Sequence, residues 1–405
     1  MNLIYLKTVW HSLLRNRFYT FTSIGGVALT FVFVFAYMIF LKIQTGNITP
    51  EVNKDKTIEV EQILFQNGDK VSIDSTLAAY YSQLKEPEYV ARYNSQFFRI
   101  HNGYKIIYSP AAYINSDFFN IFKFKYIAGR PFSKDEEINK IPVLVITKEY
   151  AESFFGRVNV LGESIEILGN KFKIIGIVEG PNNFSRFSNG RLYIPYTLNN
   201  IPRRNAYPWY NIFLKAKNKE SLPKISEELN RLHRQLFKQG AIKSEPAETE
   251  WKSMKDKVSN SLYISIIALI IIQLLIPAFT IISLNSGKIM DQMVEFSIKR
   301  AYGASRRIIF YEIFKENTIV TLIGSILGLI LTPITFMGVA KLINDNLSTG
   351  NYKITFSIPA NVLDGYMITE LFALILIFSL LSCFYPALKV VNAVIADELK
   401  GGINE

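Results

Sequence analysis

The motifs that perform catalysis or bind nucleotides are missing from this sequence. A P-loop that cradles ATP phosphates needs the spacing G-x-x-x-x-G-K-[ST]. The only Gly-Lys pair, Gly287-Lys288, is followed by Ile289 and lacks the upstream glycine. A G-x-S-x-G elbow, which presents a nucleophilic serine, does not occur either. We therefore expect no catalytic residue and no bound cofactor in this chain.

Metal-ligand residues are few and scattered. The three histidines, His11, His101 and His233, have no Cys or His neighbours at ligand spacing, so we interpret them as surface or packing residues and expect no metal site. The single cysteine, Cys383, has no partner for an internal disulfide. The acidic run 135–137 is interpreted as a solvated turn, in preference to a catalytic carboxylate pair.

Long apolar runs set the class of protein. Of the 405 residues, 49% are hydrophobic and only 20% are charged, against about 25% in soluble domains. The apolar residues gather in four runs that are long enough to cross a bilayer as helices. The sequence predicts membrane-spanning helices at 18–41, 261–285, 317–340 and 371–390. The first run is too long for a signal-peptide core and lacks a small-x-small cleavage site, so we interpret it as an uncleaved anchor.

The distribution of Lys and Arg predicts the orientation. The net charge of +11 could indicate nucleic acid, but basic residues on the cytoplasmic side of a membrane explain part of it more simply, and we expect no nucleic-acid partner. Basic residues are dense before the first span and in the loop 286–316, and Lys389 and Lys400 lie just before and within the C-terminal tail 391–405. These segments are predicted to be cytoplasmic. The long segment 42–260 and the short loop 341–370 then lie outside.

Residues 1–17 show an amphipathic pattern with one apolar and one basic face. This pattern suits a helix that lies in the membrane interface and contacts lipids, although a plain cytoplasmic extension of the first span is the alternative. The apolar face holds Leu3, Leu6, Trp10 and Leu13, and the other face holds Lys7, His11 and Arg15.

The large outer segment has the composition of a mixed α/β domain. Its strand candidates are rich in Ile, Val, Tyr and Phe, and in its last helix candidate apolar residues recur at helical spacing. The predicted strands are Thr57–Phe65, Tyr104–Ile114, Pro142–Ile146, Ser164–Ile167, Lys171–Val178, Leu192–Pro195 and Ile212–Ala216. The predicted helices are Asp74–Leu84, Lys148–Phe155 and Leu222–Gln239.

The cytoplasmic loop predicts a short helix between two spans. From Lys288 to Arg300 a stripe at helical spacing includes Met293 and Phe296, and Glu295 precedes Lys299 by four residues, the favourable order for an ion pair. Gly303 is suited to end this helix, and Ser305 is suited to cap the next one. Such a helix could transmit force from a cytosolic partner to the spans. An ordinary connecting loop is the alternative.

Small residues in the spans predict close helix contacts, within one chain or between two. Gly324 and Gly328 are spaced as in membrane helix pairs, and Gly25 and Gly26 are adjacent in the first span. The spans have no interior Asp, Glu, Lys, Arg or His, which argues against an ion-coupled pathway and indicates a protein that moves mechanically and is powered from elsewhere.

Three stretches make the chain resemble the MacB/FtsX-type permeases of ABC transporters, the type VII mechanotransmission family. The first, Ser116 to Phe132, is similar to the family's "F…GRxF" block, and the segments after it keep the family's order to Val178. The second is Glu295 to Arg307, which is similar to "E-hydrophobic-x-I-R-R/K-A-x-G-A-S". The third is the tail, with Tyr385-Pro386-Ala387 and Ile395 to Lys400. The tail lacks the family's usual proline, and the region before Asn115 contains no family block.

The resemblance implies a fold of four spans with a periplasmic domain inserted between the first two. That domain would have a porter-like lobe (43–115 and 197–258) and an inserted lobe (116–196), in an inner-membrane protein whose two termini are cytoplasmic. Two permeases, identical or different, would pair above two cytoplasmic ATPase subunits that bind ATP and Mg²⁺. The implied coupling helix comprises Met293, Glu295, Phe296, Lys299, Arg300 and Ala301, with Gly303, Ala304 and Ser305 as its turn.

In this family the permease relays ATP-driven motion to the outer domain, and substrate does not pass through the bilayer. The size of the outer domain favours efflux or lipoprotein and peptide handling, with a periplasmic or outer-membrane partner, over the small cell-division type. Two other classes stay open on the sequence. One is a membrane sensor that signals through a partner, and the other is a membrane-anchored enzyme whose site is in the outer domain.

Overall fold

The computed structural model divides into two compact units. One consists of Met1–Phe40, Tyr263–Gly338 and Ala360–Glu405, and we call it the helical unit. The other consists of Leu41–Leu262 and Val339–Pro359, and we call it the sheet domain. The structure describes residues 17–101, 106–181, 185, 187–188, 190–199, 209–240, 243–257, 264–275, 279, 293–347 and 365–392.

The described helices and strands alternate through the sheet domain and are flanked by long helices on either side in the chain. The helices are α1 (Arg17–Thr45), α2 (Ser75–Tyr81), α3 (Phe118–Ile121), α4 (Lys134–Ile138), α5 (Lys148–Phe155), α6 (Leu222–Lys238), α7 (Ile264–Leu275), α8 (Met293–Ala301), α9 (Arg306–Leu347) and α10 (Gly365–Asn392). The strands are β1 (Thr57–Val60), β2 (Gln62–Leu64), β3 (Lys70–Ser72), β4 (Tyr89–His101), β5 (Ile106–Ile114), β6 (Tyr126–Gly129), β7 (Val143–Thr147), β8 (Ser164–Ile167), β9 (Asn170–Val178), β10 (Leu192–Pro195) and β11 (Asn211–Lys215).

Nine of these strands form one mixed sheet in the order β1-β11-β4-β5-β10-β7-β9-β6, with β8 paired to β9. The pairs β5–β10 and β7–β9 are parallel and the other pairs are antiparallel. Strand β5 comes from the predicted porter-like lobe and β10 from the predicted inserted lobe, with Ala111 opposite Leu192. Segments of both predicted lobes therefore belong to one sheet. A separate hairpin consists of β2 and β3.

Both faces of the sheet are covered by apolar side chains. In β7 all five residues are buried, and Leu144 and Val145 alternate onto opposite faces. One face packs with Tyr150 of α5, and the other packs with Phe118 of α3. Because a strand that is covered on both sides needs a continuous apolar run, the sequence V-L-V-I of β7 suits its central place. A further cluster joins β1 and β11 to α2 and α6.

Helix α5 and strands β8 and β10 have the predicted bounds, and β5, β7, β9, β11, α2 and α6 differ from the prediction by up to three residues at an end. The predicted strand Thr57–Phe65 is wrong as one element, because β1 ends at Val60 and β2 leaves the sheet to pair with β3. Strand β4, which has the longest range of all, has no counterpart in the prediction. Its buried polar residues Asn94 and Gln96 interrupt the apolar pattern, and they are satisfied by a mutual hydrogen bond of 2.8 Å.

The segment that resembles the family's GRxF block is built into the domain core. Gly129 has φ +74°, and a Cβ there would lie 2.1 Å from the carbonyl oxygen of Ile175, so only glycine fits. Arg130 donates two hydrogen bonds to Glu136, at 2.7 and 2.8 Å. Phe132 is buried in the cluster on the α3 face. The block is therefore explained by packing and backbone geometry.

The interpretation of residues 135–137 as a solvated turn is wrong. They belong to helix α4, which begins at a capping box in which Ser133 and Glu136 satisfy each other's backbone N–H groups. Glu137 is buried, and its carboxylate accepts a 2.6 Å hydrogen bond from the backbone N–H of Ser116. Burial raises the pKa of Glu137, although the hydrogen bonds from Ser116 oppose the rise. A buried carboxylate can accept a hydrogen bond from a backbone N–H in place of one from water. Composition alone does not show which carboxylates do so.

Within the described residues, two helical stretches are long and apolar enough to cross a membrane, Thr20–Thr45 and Arg306–Val339. Two shorter apolar helices, Ile264–Leu275 and Gly365–Leu381, lie where the second and fourth spans were predicted. Helix α9 begins 11 residues before the predicted third span, because its first turns contain charged residues that a hydropathy criterion leaves out. Residues 1–16 and 393–405, which include most of the predicted interfacial helix and the tail, lie outside the described residues.

Candidate functional site

Helix α8 ends in a tight, fully hydrogen-bonded turn. Gly303 has φ +95°, the left-handed conformation in which glycine avoids a Cβ penalty. Its N–H donates to the carbonyl of Arg300 at 2.9 Å, and the N–H of Ala304 donates to the carbonyl of Lys299 at 3.0 Å. These two bonds define a Schellman motif, which satisfies carbonyls that a helix end leaves unpaired. The prediction that Gly303 ends the helix is confirmed.

Helix α9 begins directly after this turn. The backbone N–H of Ile308 donates to the carbonyl oxygen of Ser305 at 3.0 Å and contacts its Oγ at 3.4 Å. Ser305 therefore occupies the N-cap position that the sequence predicted. Only the four residues from Tyr302 to Ser305 separate the two helices, so α8 and α9 have little freedom to move relative to each other.

Apolar packing fixes the two helices against each other. Phe296 is 5% exposed and packs against Ile309 and Ile313 of α9, which are 0% and 6% exposed. The phenyl ring of Phe296 therefore faces its own chain. A partner protein that docks on α8 would not reach this side chain, so we assign Phe296 to holding the helix in place.

An ion-pair bridge reinforces this packing. The Lys299 ammonium lies 3.1 Å from Glu295 in the same helix and 2.8 Å from Glu312 in α9. It also lies 5.4 Å from the ring centre of Phe296, within cation–π range. Partial burial lowers the pKa of Lys299, but the hydrogen bonds to Glu312 and Glu295 outweigh this effect and hold the pKa above its ordinary value. Lys299 is therefore charged at neutral pH.

The outward side of α8 has an apolar stripe that the sequence analysis did not single out. Val294 and Ile298 are 45% and 44% exposed, and Tyr302 in the turn is 91% exposed. Their spacing of four residues places them on one face of a helix. Ala301 and Gly303 are exposed and Arg300 is half-buried, whereas the side chain of Met293 lies outside the described residues. The i, i+4, i+8 spacing was visible in the sequence, but it did not show which apolar stripe faces inward.

Two glycines of α9 allow a close approach to α1. A Cβ on Gly324 would lie 2.7 Å from the side chain of Val27, and a Cβ on Gly328 would lie 2.8 Å from the carbonyl of Ala28 and from the Cβ of Phe31. The structure thus places both predicted residues at a helix–helix contact.

The other predicted pair, Gly25 and Gly26, is placed differently. A Cβ on either residue would meet nothing within 4 Å among the described residues. The structure therefore does not place them at a close contact within the single chain.

Polar side chains connect α9 to α10. The amide Nδ2 of Asn317 donates to the carbonyl of Ser379 at 2.9 Å, and the hydroxyls of Thr318 and Ser379 lie 2.8 Å apart. Hydrogen bonds of this kind stabilise helix pairs in an apolar environment, where the alternative is an unsatisfied polar group. Together with the glycine contacts, they connect the helix that follows the turn to both α1 and α10.

Among the described residues, no group of three or more His, Cys, Asp or Glu side chains is arranged to hold a metal ion. His233 is buried and its Nε2 lies 2.8 Å from the hydroxyl of Tyr81, with the Trp251 ring against it at 5.6 Å. Burial lowers the pKa of His233 to about 4, so the ring is neutral at neutral pH. The packing interpretation of His233 is confirmed, and the side chains of His11, His101 and Cys383 lie outside the described residues.

Comparison with known families decides the kind of protein. The model of the MacB-like periplasmic core domain matches residues 20–232, more than half of the chain. The model of the FtsX-like permease C-terminal domain matches residues 266–395. The chain belongs to the MacB/FtsX family of ABC transporter permeases. It is therefore a membrane protein with a mixed α/β periplasmic domain, and the helix–turn–helix described above lies inside the FtsX-like region.

This MacB/FtsX permease matches its relatives at low sequence identity but over most of its length. It is 22% identical over 399 residues to the pyoverdine export ATP-binding/permease protein PvdT of Pseudomonas entomophila, a match that covers 95% of the chain and 57% of that protein. It is 24% identical over 307 residues to the ABC transporter permease YvrN of Bacillus subtilis, covering 72% of the chain and 70% of that protein. The chain thus spans little more than half the length of the first relative.

A solved structure is also similar to part of the chain. The periplasmic region of MacB from Actinobacillus actinomycetemcomitans aligns at 18% identity with a TM-score of 0.40. The alignment covers 54% of this chain and 99% of that structure.

Proposed function

We propose that this chain is the non-catalytic permease subunit of an ABC transporter, and that α8 is the helix on which a separate cytoplasmic ATPase docks. ATP and Mg²⁺ would bind to the ATPase. Closure of the ATPase would move α8, and α8 would move the spans and the periplasmic domain. Membership of the MacB/FtsX family supports this proposal. The alternative of a membrane sensor has no comparable support.

The observation that carries the proposal is the rigid junction between α8 and α9. A helix transmits force only if it cannot rotate freely at its ends. Three independent features fix this junction: the Schellman turn at Gly303, the packing of Phe296 and the bridge from Lys299 to Glu312. Helix α9 then continues for 42 residues, about 63 Å at 1.5 Å per residue.

The exposed stripe of α8 supplies a docking surface for the ATPase. Val294, Ile298 and Tyr302 are accessible on the side away from α9, and exposed apolar or aromatic residues are typical anchors of interfaces. We therefore propose that these three residues insert into the ATPase. In this account Glu295, Lys299 and Arg300 orient the helix, and Gly303 to Ser305 form the corner that turns it into α9.

The finer topology is part of the proposal. We propose four spans, both termini and α8 in the cytoplasm, and the sheet domain in the periplasm with a porter-like and an inserted lobe. The clustering of Lys and Arg before the first span and around α8 supports this orientation. A second permease, identical or different, would complete the assembly. The transporter would serve efflux or lipoprotein and peptide handling, with a periplasmic or outer-membrane partner, and would not pass substrate through the bilayer.

Affinity purification tests the proposal. The tagged chain is extracted from its native membrane in mild detergent, and the proteins that purify with it are identified. We expect an ATPase with a P-loop at about one copy per permease. The variant Ile298→Asp should lose this ATPase, because a charge on the docking stripe would be buried without a partner. Ile138→Asp is the matched control, since Ile138 is 61% exposed in the sheet domain. Retention of the ATPase by Ile298→Asp would contradict the docking assignment.

A further inference from the structure

The segment between α1 and β1 contains a buried lysine that caps the end of α1. Lys54 is only 2% exposed, and its ammonium donates hydrogen bonds to the carbonyls of Ile43 and Gln44. Both carbonyls belong to the last turn of α1, where a helix leaves acceptors unpaired and has partial negative charge. Lys54 thus ties the chain nine residues beyond the helix to the helix end itself.

A buried glutamate connects this lysine to a distant loop. Glu51 is 2% exposed and lies 2.8 Å from Lys54. The other oxygen of its carboxylate, Oε1, accepts three hydrogen bonds: from the N–H of Phe187 at 2.9 Å, and from the N–H and hydroxyl of Ser188 at 3.0 and 2.9 Å. One carboxylate therefore joins α1, through Lys54, to a loop more than 130 residues further along the chain.

The same loop is fixed to the middle of the sheet. The hydroxyl of Tyr193 shares its one proton between the carbonyls of Ser188 and Gly190, which lie 2.9 and 3.0 Å away. Tyr193 is fully buried on β10, which lies between β5 and β7. Hydrogen bonds to charged groups are stronger than neutral ones and cannot exchange with water when they are buried. A continuous chain of short contacts thus leads from the end of α1 to a central strand.

Other contacts keep the connecting segment in place. Asn53 donates to the carbonyl of Ile121 at 2.6 Å, and the N–H of Lys123 donates to the carbonyl of Pro50 at 2.8 Å. Both contacts join the segment to the neighbourhood of α3. The segment is therefore an integral part of the sheet domain and does not behave as a free linker.

We propose that Lys54 and Glu51 are positioning residues that transmit displacement of α1 to the centre of the periplasmic sheet. This inference rests on the proposed function, in which motion reaches the periplasmic domain through the spans. A buried ion pair is weak support for stability alone, because apolar replacements of similar volume are often as stable. Such a pair is well suited to hold one geometry, since displacement of either residue leaves the other with a buried charge and no partner.

Hydrogen exchange of the full chain in detergent tests the connection without any ATPase. We expect Lys54→Met to accelerate exchange at the amides of Phe187 and Ser188, which donate to Glu51, by about tenfold. Conversely, Glu51→Ala should accelerate exchange in the last turn of α1. Lys257→Met is the matched control, because it removes two other ion pairs of the same domain, with Glu59 and Glu61, and should leave both segments unchanged. If each substitution accelerates exchange only at groups that the substituted residue itself contacts, the proposal is wrong.

The double variant Glu51→Gln/Lys54→Met separates a positioning role from a loss of folding. It removes both charges and keeps both volumes, and the Gln side chain can still accept from Phe187 and Ser188. We expect it to unfold within about 5 °C of wild type. In the complex with its ATPase, we expect ATP hydrolysis to continue while an ATP-dependent change in a fluorescent label on the periplasmic domain falls at least threefold. The single variant Lys54→Arg, which can donate to the same carbonyls, should keep the wild-type response of the label.

The two failures are distinguishable. If the wild-type complex shows no ATP-dependent change in the label, the proposed function fails and the exchange result still decides the connection. If wild type responds and the double variant responds equally, the positioning role of Lys54 and Glu51 is wrong and the proposed function stands.

Discussion

The ammonium of Lys299 and the carboxylate of Glu312 lie 2.8 Å apart across the turn that joins α8 to α9. Glu295 lies on the other side of the same ammonium, at 3.1 Å. Lys299 thus bridges the four-residue turn and fixes the angle between α8 and α9. The sequence predicted the pair within α8, and the contact with α9 became visible only in the structure.

The first prediction concerns this bridge. Lys299→Met should change the unfolding temperature by less than about 3 °C, because a partly exposed ion pair contributes at most about 1 kcal/mol. It should nevertheless lower the permease-dependent stimulation of the ATPase by at least threefold, since α8 is then held less firmly against α9. Steady-state ATP hydrolysis of the reconstituted complex measures this. Lys125→Met, which removes the exposed pair with Glu179 in the sheet domain, is the control. Equal stimulation in Lys299→Met and wild type would count against the rigid-junction account.

The second prediction concerns the corner itself. At φ +95° a Cβ costs about 1–2 kcal/mol, so Gly303→Ala should weaken coupling moderately. Gly303→Pro, whose ring fixes φ near −65°, should abolish coupling because it also removes the N–H that bonds to Arg300. ATPase stimulation and the amount of bound ATPase are measured together. Gly338→Ala, at a position of α9 where a Cβ would meet no described residue within 4 Å, should leave both unchanged. Normal stimulation by the proline variant would show that the turn is dispensable.

The third prediction concerns helix packing. Gly328→Val would place a side chain 2.8 Å from the backbone of Ala28, which cannot move away without displacing α1. We expect a loss of about 1–3 kcal/mol, the usual cost of overpacking, and a lower unfolding temperature in detergent. A Cβ at Gly25 would meet no described residue within 4 Å, so Gly25→Val should be tolerated in that assay. If Gly25→Val instead disrupts self-association measured by cross-linking, the first span contributes to the contact between two permeases.

The fourth prediction concerns a buried carboxyl in β1. Burial raises the pKa of Glu59 to about 7, although Lys257 at 3.0 Å opposes the rise. The folded state then binds a proton more tightly than the unfolded chain, whose ordinary value is 4.5. This contribution to stability is fully present below pH 4.5 and is lost as pH rises through 7.

In the wild type, the free energy of unfolding should therefore fall between pH 5 and pH 8, by about 3 kcal/mol at most. Glu59→Gln should remove this fall. Its amide oxygen can still accept the 2.8 Å hydrogen bond from Asn211. Denaturant unfolding at four pH values measures the slope. Glu179→Gln, at an exposed position, is the control and should keep the wild-type slope. An unchanged slope in Glu59→Gln would contradict the assignment of this pKa.

Local signals made part of the fold predictable. Helix α5 has its predicted bounds, Lys148 to Phe155, and the structure shows that it ends where Gly156 adopts a left-handed φ of 73°. Strand β4 was not predicted, because its buried Asn94 and Gln96 look like loop residues until their hydrogen bonds are known. The order of strands depends on contacts between distant segments, which one sequence does not contain.

The same limit applies to the site. Gly303 and Ser305 were predicted from their intrinsic roles at helix ends, and the structure confirms those roles. The inward placement of Phe296 and the outward placement of Val294, Ile298 and Tyr302 could not be predicted, since both stripes are apolar and only the partner helix decides between them. The pair of Glu51 and Lys54 was missed because its other contacts lie at Ile43 and Ser188.

Photo-cross-linking from position 302 tests the central claim most directly. Tyr302 is 91% exposed, so a photoreactive amino acid can replace it without disturbing the packing of α8. A second chain with the same group at Ile138 in the sheet domain is irradiated in parallel in intact cells. We predict that position 302 cross-links to a cytoplasmic ATPase with a P-loop and that position 138 does not. If the ATPase purifies with the chain but position 302 cross-links to no protein, α8 is not its docking helix and the account is wrong.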